Sequence, residues 1–115
     1  MSVMEQSKPA AWIEVGSTIE ILPRTARRYR SPMGDVAIFR TGDDHFYALL
    51  DQCPHKGGPL SQGIVHGHAV TCPLHAWNID LATGRPMGPD SDHGCAPTIP
   101  LQIRDGRIFL AAGMV

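Results

Sequence analysis

Two short segments of the chain combine cysteine and histidine in a way that suits metal chemistry. The first reads Cys53-Pro54-His55 and the second Cys72-Pro73-Leu74-His75, with Lys56 to Thr71 between them. Two thiolates and two imidazoles in matched pairs can hold two irons bridged by two sulfides, with the cysteines on one iron and the histidines on the other. The spacing therefore predicts four ligands to a [2Fe–2S] cluster: Cys53, His55, Cys72 and His75.

Zinc is the competing metal for this ligand set, since two cysteines and two histidines also form structural zinc sites. Zinc sites usually pair like with like, as C-x₂₋₄-C and H-x₃₋₅-H, whereas each segment here mixes the two residue types. The glycines of Lys56-Gly57-Gly58-Pro59 can bring backbone N–H groups close to sulfide, which favours the iron–sulfur interpretation. A non-redox zinc-binding interaction module remains the alternative at this point, and iron and labile-sulfide content distinguishes the two.

The composition excludes several classes of partner. A length of 115 residues predicts a single domain. A formal net charge of −1 predicts neither a basic surface for nucleic acid nor a polybasic membrane anchor. The first residues lack the apolar stretch of a signal peptide, and no apolar run approaches the roughly 18 residues of a membrane span. We therefore expect a cytoplasmic protein without nucleic-acid or membrane partners. Of its three cysteines, Cys95 lies outside the two segments and is expected to be a small buried side chain.

Short apolar segments alternate with turn signals along the whole chain. Twelve glycines and ten prolines favour many short strands over helices. A first strand is expected at 12–15, a hairpin at 35–40 and 45–50 around the turn 41–44, and strands at 68–71, 77–80, 98–104 and 107–110. Asp105-Gly106 is a type I′ hairpin signal, and Ser17 and Glu20 have the spacing of a capping box for a short helical turn. The predicted fold class is all-β, with stacked antiparallel sheets.

The two metal-binding segments each follow a predicted strand. The strand at 46–50 leads to Cys53 and the strand at 69–71 leads to Cys72, so two facing loops, at about 51–63 and 71–78, would bring the four ligands together. Residues 1–11 are expected to be a flexible N-terminal tail and residues 12–112 the domain. Since no nucleophile–base pair stands out, the sequence identifies no catalytic residues and no independent active site.

From about Trp12 to Leu110 the sequence resembles the Rieske [2Fe–2S] family, on the strength of the two ligand segments. High-potential members carry one extra cysteine in each ligand loop, and these two cysteines pair as a disulfide. They also carry a serine hydroxyl after the second histidine. Gly58, Leu74 and Trp77 occupy the matching positions here. The resemblance therefore implies a Rieske-like fold with a cluster-binding subdomain of two facing loops, and a reduction potential near the low end, roughly −150 mV.

Within that family the sequence is most similar to the small subunit of cytoplasmic NAD(P)H-dependent nitrite reductase. The similarity lies in residues 53–63, 77–84, 88–90 and 94–101. It implies an oxidoreductase of nitrate assimilation, in which a large partner subunit carries FAD, an NAD(P)H site, a [4Fe–4S] cluster and sirohaem and reduces nitrite to ammonium. Electron transfer or support within that complex would be the role of this chain. The alternative is a free-standing Rieske ferredoxin that delivers electrons to an oxygenase.

Several residues outside the ligand segments also carry charge or aromatic surface. Four arginines, at positions 24, 27, 28 and 30, are expected on a solvated strand face, with partner docking as the alternative. Four histidines beside turns, at positions 45, 66, 68 and 93, are expected to be solvated. Trp77 follows the second ligand segment, and we expect it to cover the cluster, to pack in the core, or both.

Overall fold

The computed structural model describes residues 11–31, 34–53, 58–73, 77–87, 94 and 96–111. Within these ranges the chain forms nine strands and two short 3₁₀ turns. The strands are β1 (Trp12–Ser17), β2 (Thr25–Ser31), β3 (Gly34–Arg40), β4 (Phe46–Leu50), β5 (Ile64–His66), β6 (Ala69–Thr71), β7 (Asn78–Asp80), β8 (Leu101–Arg104) and β9 (Arg107–Ala111). The 3₁₀ turns are Thr18–Glu20 and Leu60–Gln62. The all-β prediction is confirmed.

The strands pair into three antiparallel sheets of three strands each. The orders are β1-β9-β8, β2-β3-β4 and β5-β6-β7. In the part of the chain described by the structure, no helix has the length and apolar character that crossing a membrane requires.

Strand β3 lies at the centre of the fold and is buried on both faces. Ala37 and Phe39 pack into one apolar cluster, whose other members come mainly from the sheet β5-β6-β7 and the segments around it. Val36 and Ile38, on the opposite face, pack into a second cluster with residues of β8 and β9. Because successive side chains of a strand point to opposite faces, the continuous apolar run of β3 is what a strand between two layers requires.

Two local predictions are confirmed by the backbone. The first 3₁₀ turn has its capping box, since the Ser17 hydroxyl accepts from the Ile19 amide and the Glu20 carboxylate accepts from the Ser17 amide, each at 3.4 Å. At the β8–β9 turn, Asp105 and Gly106 have φ of 51° and 75°. Both positive values are those of a type I′ hairpin.

Apart from shifts of one or two residues at strand ends, and from β2, for which only a strand face carrying the arginines was expected, the structure differs from the strand predictions at β5 and at Thr98. Strand β5 was not predicted, because its three residues are too few to establish a period. The strand expected from Thr98 begins only at Leu101, and Thr98 forms an isolated bridge with Leu49 instead. Pro97 and Pro100 flank that bridge, and because proline has no N–H to donate, the ladder cannot continue through them.

Candidate functional site

The two predicted cysteine ligands lie in the same buried region. Cys53 follows β4 after two intervening residues, and Cys72 follows β6 directly. Their exposed fractions are 2% and 1%, and both belong to the apolar cluster that Phe39 enters from β3. They are not joined to each other by a disulfide. Two buried thiols within one apolar packing cluster can supply the thiolate ligands that an iron–sulfur cluster requires.

Each cysteine closes a short loop through its own backbone amide. The Cys53 N–H donates to the Gly58 carbonyl at 2.8 Å, and the Cys72 N–H donates to the Trp77 carbonyl at 2.7 Å. In both cases the acceptor lies five positions after the cysteine, so the chain returns to its starting point after the same number of residues. The second loop is the connection between β6 and β7, as the sequence predicted.

The histidines of the two ligand segments, His55 and His75, lie outside the described residues, as do Leu74, Lys56 and Cys95. By position, His55 falls between Cys53 and Gly58, and His75 falls between Cys72 and Trp77. The two amide–carbonyl hydrogen bonds therefore enclose in sequence the positions from which the histidines were predicted to bind.

A buried carboxylate attaches the first cysteine loop to the rest of the fold. The Asp51 side chain, 1% exposed, accepts hydrogen bonds from the Ser61 amide at 2.7 Å and the Ser61 hydroxyl at 2.6 Å. It also accepts from Arg28 Nε at 2.9 Å. A buried charge is tolerated when it is paired in this way. Asp51 thus ties the entry of the loop to the 3₁₀ turn after it and to β2. Sequence reasoning missed this residue, because nothing in its spacing distinguishes it from a solvated aspartate.

Gly63 allows the two cysteine-bearing segments to touch. A Cβ atom at this position would lie 2.3 Å from the Thr71 carbonyl oxygen and 2.8 Å from Val70 Cγ2. The conformation of Gly63 is an ordinary one, with φ of −82°, so the requirement for glycine here comes from close approach alone. Since Thr71 directly precedes Cys72, this contact sets how near the two loops lie.

Aromatic side chains cover the region that contains the two cysteines. Trp77 and Tyr47 are partly buried, and both pack against the apolar side-chain cluster that contains Cys53 and Cys72. The expectation that Trp77 packs with the core is therefore confirmed, and its covering of the iron–sulfur cluster stays a prediction.

The arginines of β2 are not simply a solvated face. Arg27 pairs with Glu20, and Arg28 pairs with Asp51. Arg28 is 39% exposed at its side chain, so its guanidinium reaches from solvent to the buried carboxylate. This pairing corrects the expectation of a purely solvated face for Arg28, because β2 lies alongside the turn that holds Ser61.

Three of the turn histidines have defined partners. His66 Nε2 lies 2.7 Å from the Thr71 hydroxyl and 3.3 Å from Asn78 Oδ1. His45 and His68 both contact Asp43, although 23 positions separate them in the sequence. No sequence spacing could have shown that pair, because the two histidines come from turns of different sheets. His93 lies outside the described residues.

Comparison with known proteins agrees with this geometry. The family model described as the Rieske [2Fe–2S] domain matches residues 11–99. Ferredoxin CarAc of Metapseudomonas resinovorans is 31% identical over 106 residues, covering 87% of this chain and 92% of the relative. The anthranilate 1,2-dioxygenase ferredoxin subunit of Burkholderia cepacia is 32% identical over 116 residues, covering 96% of this chain and all of the relative.

A solved structure from Mycobacterium tuberculosis, assigned as an NADH-dependent nitrite reductase small subunit, has the same fold. Its TM-score is 0.78 at 23% identity, with 91% of this chain and 97% of that chain covered. At this identity the likeness concerns the fold alone.

The two buried thiols fit a [2Fe–2S] cluster, which when bound supplies a reversible one-electron couple. Cys53 and Cys72 are the described residues that would hold it, and the sequence likeness extends over the whole region that positions them. The chain therefore belongs to the Rieske [2Fe–2S] family and is a redox protein of electron transfer.

Proposed function

We propose that this chain is the small Rieske subunit of a cytoplasmic NAD(P)H-dependent nitrite reductase, which reduces nitrite to ammonium. Its domain would comprise residues 12–112, with the cluster held by Cys53, His55, Cys72 and His75. The nitrite chemistry, FAD, [4Fe–4S] cluster and sirohaem would belong to a large partner subunit. This chain would transfer electrons or support the complex, without an active site of its own.

The observation that carries the proposal is the attachment of the distal segment, whose sequence resembles that subfamily. The Ala96 amide donates to the Gly84 carbonyl at 2.7 Å, and a Cβ on Gly84 would lie 1.9 Å from the Ala96 carbonyl oxygen. Gly84 also has a φ of +75°, which favours glycine. Gly84, in one stretch that carries the resemblance, is thus required by its close approach to the backbone of Ala96 in the other stretch.

This distal segment is also joined to the strand that leads to Cys53. The Leu50 amide donates to the Pro97 carbonyl at 2.9 Å, and the Ile99 amide donates to the Ala48 carbonyl at 2.9 Å. These hydrogen bonds hold the distal segment against the strand that leads to the first cysteine loop. The support for a large partner subunit comes from the sequence of this segment, which resembles the nitrite reductase small subunits.

The second candidate is a free-standing ferredoxin that delivers electrons to an oxygenase. It is favoured by the sequence relatives, since a ferredoxin and the ferredoxin subunit of a dioxygenase are 31% and 32% identical to this chain over nearly their whole lengths. The nitrite reductase likeness among solved structures, at 23% identity, is lower. The two candidates share the cluster and differ in whether the protein acts within a complex or between proteins.

Isolation of the native complex distinguishes these candidates. The chain, carrying a small epitope tag, is recovered from its own host grown on nitrate, and visible spectra are recorded on the eluate. The proposal expects a large co-purifying subunit with sirohaem and flavin bands. Recovery of the small protein alone, with a reducible Rieske spectrum and with electron transfer to an oxygenase, would establish the ferredoxin instead.

The ligand assignment has its own test. We expect Cys53→Ser and His75→Ala each to abolish the visible absorption of the cluster, because each removes one of four iron ligands. Iron and labile sulfide are measured on the same samples, and Cys95→Ser serves as the matched control that keeps both. Unchanged visible absorption in either ligand variant would show that the assignment is wrong, and zinc without sulfide in the unmodified protein would establish the zinc module.

A further inference from the structure

A compact group of three side chains lies outside the cysteine loops. Asp43 and His45 are on the turn between β3 and β4, and His68 is on the turn between β5 and β6. His68 Nε2 lies 2.9 Å from Asp43 Oδ2, and His45 Nδ1 lies 3.3 Å from Asp43 Oδ1. One ligand atom from each of the three residues lies within 4.8 Å of the others.

These separations are close to those of a metal centre. A zinc ion with nitrogen and oxygen ligands at 2.0–2.2 Å in tetrahedral geometry holds its ligand atoms about 3.4 Å apart. From the single oxygen Asp43 Oδ1, His45 Nδ1 lies at 3.3 Å and His68 Nε2 at 3.0 Å, so these two separations need to open by only a few tenths of an ångström. The two ring nitrogens, within 4.8 Å of each other, must come to the same spacing. All three side chains are more than a third exposed, so the ion has an open path and a position left for water.

Tyr47 orients one of the two imidazoles. Its hydroxyl lies 2.8 Å from His68 Nδ1, and its ring meets the His68 ring edge-on, with centroids 5.7 Å apart. Without an ion, the 2.9 Å contact between Nε2 and the Asp43 carboxylate requires a proton on Nε2, so Nδ1 accepts a hydrogen bond from the Tyr47 hydroxyl. When an ion takes the place of that proton, Nδ1–H can donate to the Tyr47 oxygen, and Nε2 offers its lone pair to the ion. Partners of this kind are typical behind metal-binding histidines.

Hydrogen bonds hold the Asp43 carboxylate in place between the two imidazoles. The Thr41 hydroxyl donates to Asp43 Oδ1, and His68 Nε2 lies 3.0 Å from Oδ1 and 2.9 Å from Oδ2. An oxygen ligand for an ion is therefore already positioned beside both ring nitrogens.

We propose that Asp43, His45 and His68 form a binding site for a divalent transition-metal ion of borderline softness, with Zn²⁺ as its typical occupant. Two imidazoles and one carboxylate are a ligand set for such ions, with a water completing the coordination. The ion would join the turn of the central sheet to the turn of the sheet that carries Cys72. The site is separate from the iron–sulfur cluster, and the proposal does not depend on which partner the protein serves.

Equilibrium dialysis of the cluster-loaded, untagged protein against Zn²⁺ at pH 7.5, followed by metal analysis, tests this proposal. We expect about one zinc per chain, with iron content and visible absorption unchanged. Tyr47→Phe should lower the affinity by about tenfold, the lower end of the loss seen when a partner behind a metal ligand is removed. His68→Gln and His45→Gln should each lower it more, because each removes a ligand atom.

His66→Gln is the matched control, because this histidine lies on the strand before the same turn and contacts Thr71 and Asn78 rather than Asp43. Its zinc affinity should equal that of the unmodified protein. The retained cluster spectrum shows that each variant is folded. Absence of saturable zinc at 100-fold excess over protein, equal affinity in all variants, or zinc uptake accompanied by iron loss would each overturn the proposal.

Discussion

Replacing Asp51 with asparagine should weaken the attachment of the first cysteine loop without changing its shape. The amide keeps one oxygen, which can still accept from the Ser61 amide at the position of Oδ1. The NH₂ group takes the place of Oδ2, where the carboxylate accepts from the Ser61 hydroxyl and Arg28 Nε. The serine hydroxyl can rotate to accept from the NH₂ group, but Arg28 Nε then faces another donor.

The cost follows from the one hydrogen bond that cannot be rebuilt. A hydrogen bond to a charged group contributes about 1.5–3 kcal/mol. Because the Arg28 side chain is 39% exposed and can be rehydrated, we take the lower part of this range, about 2 kcal/mol. With a urea dependence of about 1–3 kcal/mol per molar for a small protein, the unfolding midpoint should fall by about 1 M.

Asp35→Asn is the matched control. Asp35 is the other carboxylate near Arg28, at 3.8 Å from Nε and with 41% of its side chain exposed. An exposed pair at this distance contributes less than about 1 kcal/mol. The backbone hydrogen bond from the Asp51 amide to the Asp35 carbonyl is retained in this variant.

Urea titrations of the cluster-loaded protein, followed by far-ultraviolet circular dichroism and by visible absorption, measure both variants. We expect the Asp51 variant to lose its cluster at the lower urea concentration at which it unfolds, and the Asp35 variant to follow the unmodified protein. Equal midpoints for the two variants would refute the argument that the buried carboxylate anchors the loop. A normal midpoint for cluster loss in the Asp51 variant would refute it as well.

Three further predictions concern other parts of the chain. Gly63→Ala should lower the free energy of unfolding by about 1–3 kcal/mol through its collision with the Thr71 carbonyl; Gly42→Ala, which meets only a flexible side chain at 3.4 Å, should change it by less than about 0.5 kcal/mol in the same urea titration. Folding lowers the pKa of Asp43, so the ionised carboxylate stabilises the folded protein above its ordinary pKa near 4, and this stabilisation is lost progressively as the pH falls below that value. The difference in urea midpoint between Asp43→Asn and the unmodified protein should therefore narrow from pH 6 to pH 3. A constant difference would contradict the lowered pKa. The reduction potential, measured by a spectroelectrochemical titration, should be roughly −150 mV. A value well above zero would contradict the argument that the potential is low because Trp77 stands where high-potential members have a serine hydroxyl.

Much of the local structure was predictable because it depends on neighbours in the sequence. The capping box of Ser17 and Glu20 and the Asp105-Gly106 turn involve residues at most three positions apart, and their backbone preferences are intrinsic to the residue types. The strands leading to Cys53 and Cys72 were found for a related reason, since short apolar runs ending in a proline-containing segment are read directly from the chain. The four proposed ligands likewise follow from type and spacing.

The contacts between distant segments were not predictable in this way. Asp51 is buried because β2 brings Arg28, 23 positions earlier, beside the turn that contains Ser61. The contact of His45 and His68 with Asp43 exists because the turns of two different sheets meet. No periodicity or spacing rule connects such residues, since their separation in the chain carries no information about their separation in space.

The sequence by itself thus determined the all-β class and the cysteine and histidine pairs that indicate a [2Fe–2S] cluster, because propensity, turn chemistry and ligand spacing are local properties. Only the tertiary structure decided that Asp51 is an anchor, that Gly63 is a point of close approach, and that three exposed polar residues form a group. Those roles depend on which layers pack together, and packing is set by the burial of apolar surface over the whole chain.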